Sequence, residues 1–175
     1  GGMYKTADGG KKCKQGLLVS EHTGFNEGMI DPRNSNTIYA AAKQRQRKVF
    51  TYIGGGPESA MYKSTDGGAT WNKMMKGLPA DVNIGRIGMA MSPVNPDYLF
   101  AIVETTDKSK GGLYASTDRG ASWEKKGSFD NRGNYYQEIY CDPKNINKNY
   151  DRETYTKRRK EGGQNVTDLG EKIKQ

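Results

Sequence analysis

The chain alternates between short runs of apolar residues and clusters of Gly, Pro, Asp, Asn and Ser. Such runs, bounded by residues that favour turns, are typical of small β-strands rather than of a solvated coil. They recur in a fixed order: an apolar run, an Asp-Pro or Ser-Pro turn, a second apolar run, a loop, a Tyr-containing strand, a polar turn and a strand that begins near Trp. The pattern therefore predicts an all-β protein built from repeated units.

Each repeat is predicted to be an antiparallel meander of four strands. The segment "MIDPRNSNTIYAA", which begins at Met29, aligns residue for residue with "AMSPVNPDYLFAI", which begins at Ala90, and "YCDPKN" at Tyr140 opens a third copy. The predicted strands are 26–30, 37–42, 60–64 and 70–75 in the first unit, and 86–92, 98–105, 112–116 and 122–126 in the second.

Repeated four-stranded meanders are typical of β-propellers, whose blades are arranged radially around an axis. The predicted boundaries are a partial blade of two outer strands at 1–16, complete blades at 17–77 and 78–128, and a partial or degenerate blade at 129–175. Two complete blades do not close a ring of the usual four or more. The sequence thus predicts a β-propeller fragment, with further blades supplied by a longer chain or a larger assembly.

The polar turns carry the most distinctive motif. "STDGGATW" (64–71) and "STDRGASW" (116–123) share one spacing of Ser, Asp, Gly, Thr or Ser, and Trp. This spacing resembles the Asp-box, or BNR repeat, found between the third and fourth strands of propeller blades. The matching residues are Ser64, Asp66, Gly68, Thr70, Trp71, Ser116, Asp118, Gly120, Ser122 and Trp123.

The chemistry of these turns is expected to be local. Asp66 and Asp118 are predicted to accept hydrogen bonds from backbone amides of their own turns. The glycines supply positive φ, and each Trp is predicted to be a buried anchor between neighbouring strands. The resemblance implies that the boxes are structural and lie away from any catalytic centre.

Two degenerate copies of the motif flank these turns. "TADGGKKC" keeps Thr6, Asp8 and Gly10, but has Lys12 and Cys13 where Thr and Trp belong. "RKEGGQNV" (159–166) keeps only one glycine of the pattern. Both hairpins are expected to be weaker than the two complete copies.

A wider resemblance covers most of the chain. The segments from "GGMYKTADGG" through "IGRIGMAMSPVNPD" to "YYQEIYCDPKN" are similar to large exported bacterial propellers of the sortilin-type, or BNR-repeat, glycosyl-hydrolase-like kind. This resemblance implies an extracellular, periplasmic or cell-surface location. No signal segment is visible, but the sequence opens inside a predicted hairpin, so a targeting segment is expected to lie outside it. It implies a propeller fold without implying hydrolysis, because fold alone does not determine activity.

Charge and composition narrow the choice of partners. The net charge is +8, with cationic residues concentrated at 43–48 and 156–160. A solvated surface accounts for this charge better than nucleic-acid binding, which has no other support. Cys13 and Cys141 lack metal-ligand spacing, and a disulfide between them is neither predicted nor excluded. No cofactor, metal or transmembrane segment is predicted.

Candidate catalytic residues are few. Glu104, Asp130 and Glu138 are the acids that merit testing for glycoside hydrolysis, which needs two facing carboxylates. Each is more simply a solvated side chain, and the lone histidine, His22, cannot form a triad without a nucleophile in reach. No catalytic residue is assigned. The alternative is a sialidase-like or xyloglucanase-like hydrolase whose catalytic acids lie in blades not present here.

One rim of the predicted propeller favours binding. In a meander, the connection between the second and third strands leaves the blade at the end opposite to the box turns, so the loop 43–59 is expected to project there. The loop carries Arg45, Arg47, Lys48, Phe50 and Tyr52, and nearby rim positions add His22, Arg86, Tyr135 and Tyr136. Basic and aromatic residues suit contacts to a protein subunit or a glycan. The alternative is a loop that packs on its own propeller.

Overall fold

The structure is a computed structural model that describes residues 1–128 and 138–151. In these ranges the chain forms fourteen strands and no helix, so the predicted all-β class is confirmed. The strands are β1 (Met3–Lys5), β2 (Lys14–Leu17), β3 (Thr23–Asp31), β4 (Asn34–Gln44), β5 (Gln46–Lys48), β6 (Thr51–Ile53), β7 (Ala60–Ser64), β8 (Asn72–Lys73), β9 (Ile84–Met91), β10 (Leu99–Thr105), β11 (Gly112–Ser116), β12 (Glu124–Gly127), β13 (Ile139–Cys141) and β14 (Asn149–Asp151).

Two four-stranded antiparallel sheets form the body of the molecule. The first blade has the order β3-β4-β7-β8, and the second has β9-β10-β11-β12 in sequence order. The strand pairs β1-β2, β5-β6 and β13-β14 form three two-stranded sheets. The repeated apolar runs therefore form meanders, as the sequence predicts.

The core consists of three apolar layers that alternate with the sheets. Tyr39 and Met61 of the first blade pack with Leu99, Val103 and Tyr114 of the second. The opposite face of the first blade buries Ala42, Ala60 and Tyr62 against residues that include Leu17 of β2. The far face of the second blade buries Phe100, Ile102 and Leu113 with Ile139 of β13. Each complete sheet is therefore buried on both faces, as blades stacked side by side require.

Some predicted strand boundaries were wrong at the outer edge of the first blade. The fourth strand of the first blade, predicted at 70–75, is reduced to β8, which pairs only through Tyr62 with Lys73 and Lys63 with Asn72. The polar turn occupies most of the residues before it, and an edge strand has a partner on one side only. The central strands 60–64 and 112–116 coincide with β7 and β11.

The stretch 43–59 is not a simple loop. Lys43 and Gln44 continue β4, and the hairpin β5-β6 follows with Arg47 opposite Tyr52. We call residues 46–53 the rim hairpin. Its strands are three residues long and contain no buried residue, so the alternation of buried and exposed positions that marks the other strands is missing here.

Candidate binding rim

The polar turn of the first blade is held together by one serine and one aspartate. Ser64 Oγ accepts a hydrogen bond from Gly68 N at 2.8 Å and donates one to Asp66 Oδ1 at 2.7 Å. Asp66 Oδ1 also accepts from the amides of Ala69 and Thr70, both at 2.9 Å, while Oδ2 accepts from Thr70 Oγ1 at 2.5 Å. These hydrogen bonds, led by that of Thr70, hold the pKa of Asp66 well below its usual range.

The turn of the second blade repeats this geometry. Asp118 accepts hydrogen bonds from Ser116 Oγ at 2.7 Å, Ser122 N at 2.9 Å and Ser122 Oγ at 2.6 Å. Burial raises the pKa of Asp118, but the hydrogen bonds from Ser122 and Ser116 outweigh it and bring the pKa down to about 2. Gly68 and Gly120 both have positive φ, at 89° and 81°. We call 64–71 and 116–123 the box turns.

The two tryptophans that end these turns differ in their surroundings. Trp123 is 5% exposed and belongs to the core layer between the two blades. Its backbone N donates a hydrogen bond to Lys76 O at 2.9 Å, which ties the second blade to the connection after the first. Trp71 is only partly buried, and its Nε1 donates to Gly68 O at 3.1 Å within its own turn.

The degenerate turn at 6–13 keeps the polar contacts but not the anchor. Asp8 Oδ1 accepts hydrogen bonds from Thr6 Oγ1 and Lys12 N, both at 2.9 Å, and Gly10 N donates to Thr6 Oγ1 at 2.9 Å. Cys13, which stands in the Trp position, is exposed, and Cys13 and Cys141 are both free thiols. The other degenerate copy, at 159–166, lies outside the described residues.

The rim hairpin leaves the first blade at the end opposite to its box turn. In the pairing of β4 with β7, Ile38 lies opposite Ser64 and Ala42 lies opposite Ala60. The box turn follows Ser64, whereas the rim hairpin follows the other end of β4. Val49 and Phe50 at its tip are 90% and 97% exposed. The hairpin therefore presents apolar side chains that pack on nothing else in the described structure.

Cationic side chains flank this tip. Arg47 and Lys48 are exposed, and the Arg45 guanidinium lies 5.8 Å from the centroid of the Tyr52 ring. His22 lies beside the base of the hairpin, because Arg45 N donates a hydrogen bond to His22 O at 2.9 Å. The structure thus brings together six of the nine predicted rim residues.

The other predicted rim residues do not join the hairpin tip. Tyr135 and Tyr136 lie outside the described residues. Arg86 is on β9, where its guanidinium lies 3.9 Å from Glu27 Oε1 on β3. It belongs to a second group of side chains that we call the charged cluster: Glu27, Lys43, Arg86 and Glu104.

The charged cluster lies where the first strands of the two blades are irregular. The pairing of β3 with β4 shifts at Asn26, and the pairing of β9 with β10 shifts between Val103 and Thr105, next to Glu104. Glu104 accepts a hydrogen bond from Arg86 N at 2.9 Å. Bulges re-aim side chains and are frequent next to functional sites. They explain how charged residues from four strands meet here.

Two members of this cluster were not predicted from the sequence. The sequence places Lys43 at the start of the rim loop, but it is only 8% exposed, and it places Glu27 within a predicted strand with no functional role. The spacing along β4 is the sequence signal for the burial of Lys43. It follows Tyr39 and Ala41 at every second position, so all three side chains face the second blade. Burial lowers the pKa of Lys43 and raises that of Glu27.

The acids singled out for hydrolysis have other contacts. Glu104 holds the backbone of β9, as described above, and Glu138 accepts a hydrogen bond from Tyr140 Oη at 3.0 Å. Asp130 lies outside the described residues. Within the described ranges, no three His, Cys, Asp or Glu side chains are grouped closely enough to hold a metal ion. The described part of the chain contains no helix that is long and apolar enough to cross a membrane.

A cleft of about 650 Å³ opens beside the segment that follows the rim hairpin. Its walls come from the segment after the hairpin and from the connection between the two blades, and include Pro57, Met75, Val82 and Ile84. The bridge between Gly56 and Ile84 closes one end. The cleft therefore lies beside the segment that returns from the rim hairpin to the blade, at Gly56 and Pro57.

Comparisons with known proteins agree with this architecture. Residues 1–172 match the Sortilin-Vps10 family, described as "Sortilin, neurotensin receptor 3". A xyloglucanase of Acetivibrio thermocellus is 32% identical over 115 residues, covering 64% of this chain and 13% of that protein. A xyloglucanase of Hypocrea jecorina is 29% identical over 118 residues, with the same two coverages.

A solved structure gives the same fold. The crystal structure of an ancestral GH74 enzyme superposes with a TM-score of 0.57 at 19% identity, covering 86% of this chain and 18% of that one. The chain therefore spans a small part of the length of each of these proteins. Together with the two blades, these matches confirm the sortilin-type, glycosyl-hydrolase-like propeller that the sequence resembles. With nearly its whole length matched, the chain belongs to the Sortilin-Vps10 family.

Proposed function

We propose that this chain is a non-catalytic binding or assembly module of an exported or cell-surface protein, and that the rim hairpin is its contact element. The observation that carries the proposal is the exposure of Val49 and Phe50 at the hairpin tip. Large apolar side chains on a protruding tip are exposed to water, which costs free energy. Burying them in an interface removes this cost.

The composition of the hairpin favours a protein partner. Aromatic residues and Arg are enriched in the centres of protein interfaces, and here Phe50 and Tyr52 stand among Arg45, Arg47 and Lys48. The cationic side chains attract acidic surfaces during encounter. The expected partner therefore has an apolar pocket bordered by carboxylates.

The box turns have a different role in this proposal. Asp66 and Asp118 use their carboxylate oxygens within their own turns, so we assign both turns as structural Asp-boxes. They close the hairpins at the end opposite to the binding rim. Their carboxylates accept hydrogen bonds from the backbone of the turns and do not act on a substrate.

The rim hairpin is tested by comparing two variants in quantitative pull-downs from native extract at low and high salt. V49S/F50S should lose partner recovery at both salt concentrations, because contact area is lost. R45S/R47S/K48S should lose it mainly at low salt, because screened attraction is lost. Val94, an exposed apolar residue in the β9-β10 turn, supplies the control V94S. Equal recovery by wild type and both hairpin variants contradicts the proposal.

A carbohydrate-active hydrolase is the second candidate, and the two xyloglucanase relatives favour it. According to this hypothesis, the chain is part of an enzyme whose catalytic acids lie in other blades. Xyloglucan oligosaccharides and sialosides are the substrates to test. Turnover by this chain that is abolished by Glu104→Gln or Glu138→Gln overturns the non-catalytic assignment.

A further inference from the structure

We propose that Met75 is a site of reversible oxidation, at which a peroxide converts the thioether into a sulfoxide and weakens the joint between the two blades. Met75 lies between β8 and β9, in the connection that leads to the second blade. Three features distinguish it: its sulfur accepts a backbone hydrogen bond, its side chain contacts two core layers, and it lines the cleft of about 650 Å³. The site is independent of the contact that we assign to the rim hairpin.

The sulfur of Met75 occupies the place of a strand partner. Met61 O accepts a hydrogen bond from Met74 N at 2.8 Å, so the N–H of Met61 points to the same side of β7. β8 ends at Lys73, and Met61 N donates to Met75 Sδ at 3.4 Å, where a longer strand would offer a backbone carbonyl. A thioether is a weak acceptor, so this hydrogen bond is weaker than the backbone bond of a continued strand pair.

The second blade has a backbone pair at the equivalent position. Ser116 corresponds to Ser64 in the box turns, so Leu113 of β11 corresponds to Met61 of β7. Leu113 lies opposite Gly127 at the end of β12, which has four residues where β8 has two. The outer edge of the first blade therefore depends on a methionine side chain where the second blade uses a strand.

Met75 combines apolar contacts with access from solvent. It packs against the layer between the blades and against the layer on the opposite face of the first blade. It is only partly buried, and the cleft that it lines has many times the volume of a water molecule, about 30 Å³, so a small peroxide can reach its side chain. Met61, Met74 and Met89 of the layer between the blades are buried.

The proposed reaction is a two-electron oxidation by hydrogen peroxide. The Met75 sulfur attacks one peroxide oxygen, the O–O bond breaks, and the products are the sulfoxide and one molecule of water. The sulfoxide is polar, so its contacts with the two apolar layers become unfavourable, and water in the cleft solvates it better. The side chain is therefore expected to leave both layers. Methionine sulfoxide reductases restore the thioether.

The test treats the whole chain with hydrogen peroxide, follows each methionine by peptide mass spectrometry and records thermal melts of the same samples. Met75 should be oxidised at least about threefold faster than the buried Met61, Met74 and Met89. The melting temperature of wild type should fall by about 2–4 °C. Met75→Leu is an apolar change of similar volume, so it should melt close to untreated wild type and lose little on treatment.

Two further variants make the result specific. Met29→Leu removes another methionine that is partly buried against the layer between the blades, and it should keep the full sensitivity to peroxide. Met75→Gln places a polar group of similar length at the site and should lower the melting temperature without peroxide. The proposal is overturned if Met75 is oxidised no faster than the three buried methionines, if peroxide lowers the melting temperature of Met75→Leu as much as that of wild type, or if Met75→Gln melts like Met75→Leu.

Discussion

The two box-turn tryptophans occupy the same motif position and yet have different environments. The polar part of each turn was predictable, because Ser64, Asp66 and Thr70 contact residues within the same eight-residue motif. The burial of the Trp was not, because it depends on the neighbouring blade. Trp123 packs with Met74 and Leu78 in the layer between blades, whereas Trp71 lies at the edge of its layer and stays partly exposed.

This difference predicts unequal effects of truncation. Trp123→Ala should lower the free energy of unfolding by about 3–5 kcal/mol, as for other large aromatic residues removed from a core. Trp71→Ala should cost less, roughly 1–3 kcal/mol, because its indole remains partly solvated. Urea denaturation followed by circular dichroism measures both values. An equal or larger loss for Trp71→Ala contradicts the assignment of Trp123 as the main anchor.

At the scale of elements, the central strands were easier to predict than the edges. The segments that became β7 and β11 are apolar and paired on both sides, so their pattern is set by burial alone. The rim hairpin is held mainly by its own pairing, and its most apolar residues, Val49 and Phe50, are exposed. Assigning Lys43 to the rim loop therefore missed its burial on β4, and with Lys43 the charged cluster was missed, whereas Phe50 is exposed as its place in the loop predicts.

The connection between the two blades depends on one glycine. Gly77 has φ of 88°, and a Cβ added there would lie 2.0 Å from Trp123 O. Gly68 has nearly the same φ, 89°, but the nearest atom to its added Cβ is at 3.5 Å. Comparing substitutions at the two positions therefore separates the free-energy cost of a left-handed backbone from that of a steric clash.

Alanine substitutions should reflect that separation. Gly68→Ala is expected to cost about 1–2 kcal/mol for the left-handed conformation alone. Gly77→Ala should cost a further 1–3 kcal/mol, roughly, because the chain must move away from Trp123. Denaturation of the two variants in parallel provides the measurement. If Gly77→Ala is no more destabilising than Gly68→Ala, the close approach to Trp123 is unimportant.

At the scale of the whole molecule, an ion-pair network joins the blades at the end that carries the box turns. Arg33 donates to Asp31 through Nη2 at 2.8 Å and Nε at 3.0 Å, and Nη2 also lies 2.8 Å from Asp97 of the second blade. Arg119 Nε donates to Asp97 at 2.6 Å. The sequence predicted adjacent blades but not this network, since its partners are far apart in the chain.

The network predicts a pH dependence of stability that Arg33→Met should reduce. The hydrogen bond from Arg33 lowers the pKa of Asp31 to about 2, below the value near 3.9 of a free Asp. A depressed carboxyl pKa contributes stability that is complete above about pH 4 and is lost as pH falls towards 2. Arg33→Met should therefore be less stable than wild type at pH 7.

The same pair of proteins is compared by urea denaturation at pH 7, 4 and 2.5. The difference in free energy of unfolding should be largest at pH 7 and should narrow towards pH 2.5, where Asp31 is protonated in the unfolded state and begins to take up a proton in the folded state. Asp118, whose low pKa does not depend on Arg33, titrates alike in both proteins and cancels, whereas Asp97, whose pKa is lowered by Arg119 and Arg33, adds to the difference. A difference that does not change with pH would assign Arg33 a packing role only.

The pairing of β4 with β7 runs without a register shift from Ile38 opposite Ser64 to Ala42 opposite Ala60, although 45–59 intervene between the two strands. The equivalent strands of the second blade, β10 and β11, pair equally regularly across a much shorter connection. Doubling a flexible loop costs only about 0.6 kcal/mol of closure entropy. Insertions and deletions between β4 and β7 are therefore expected to leave the strand register unchanged. The sequence of the rim hairpin, which is the most exposed surface of the first blade, can then vary without affecting folding.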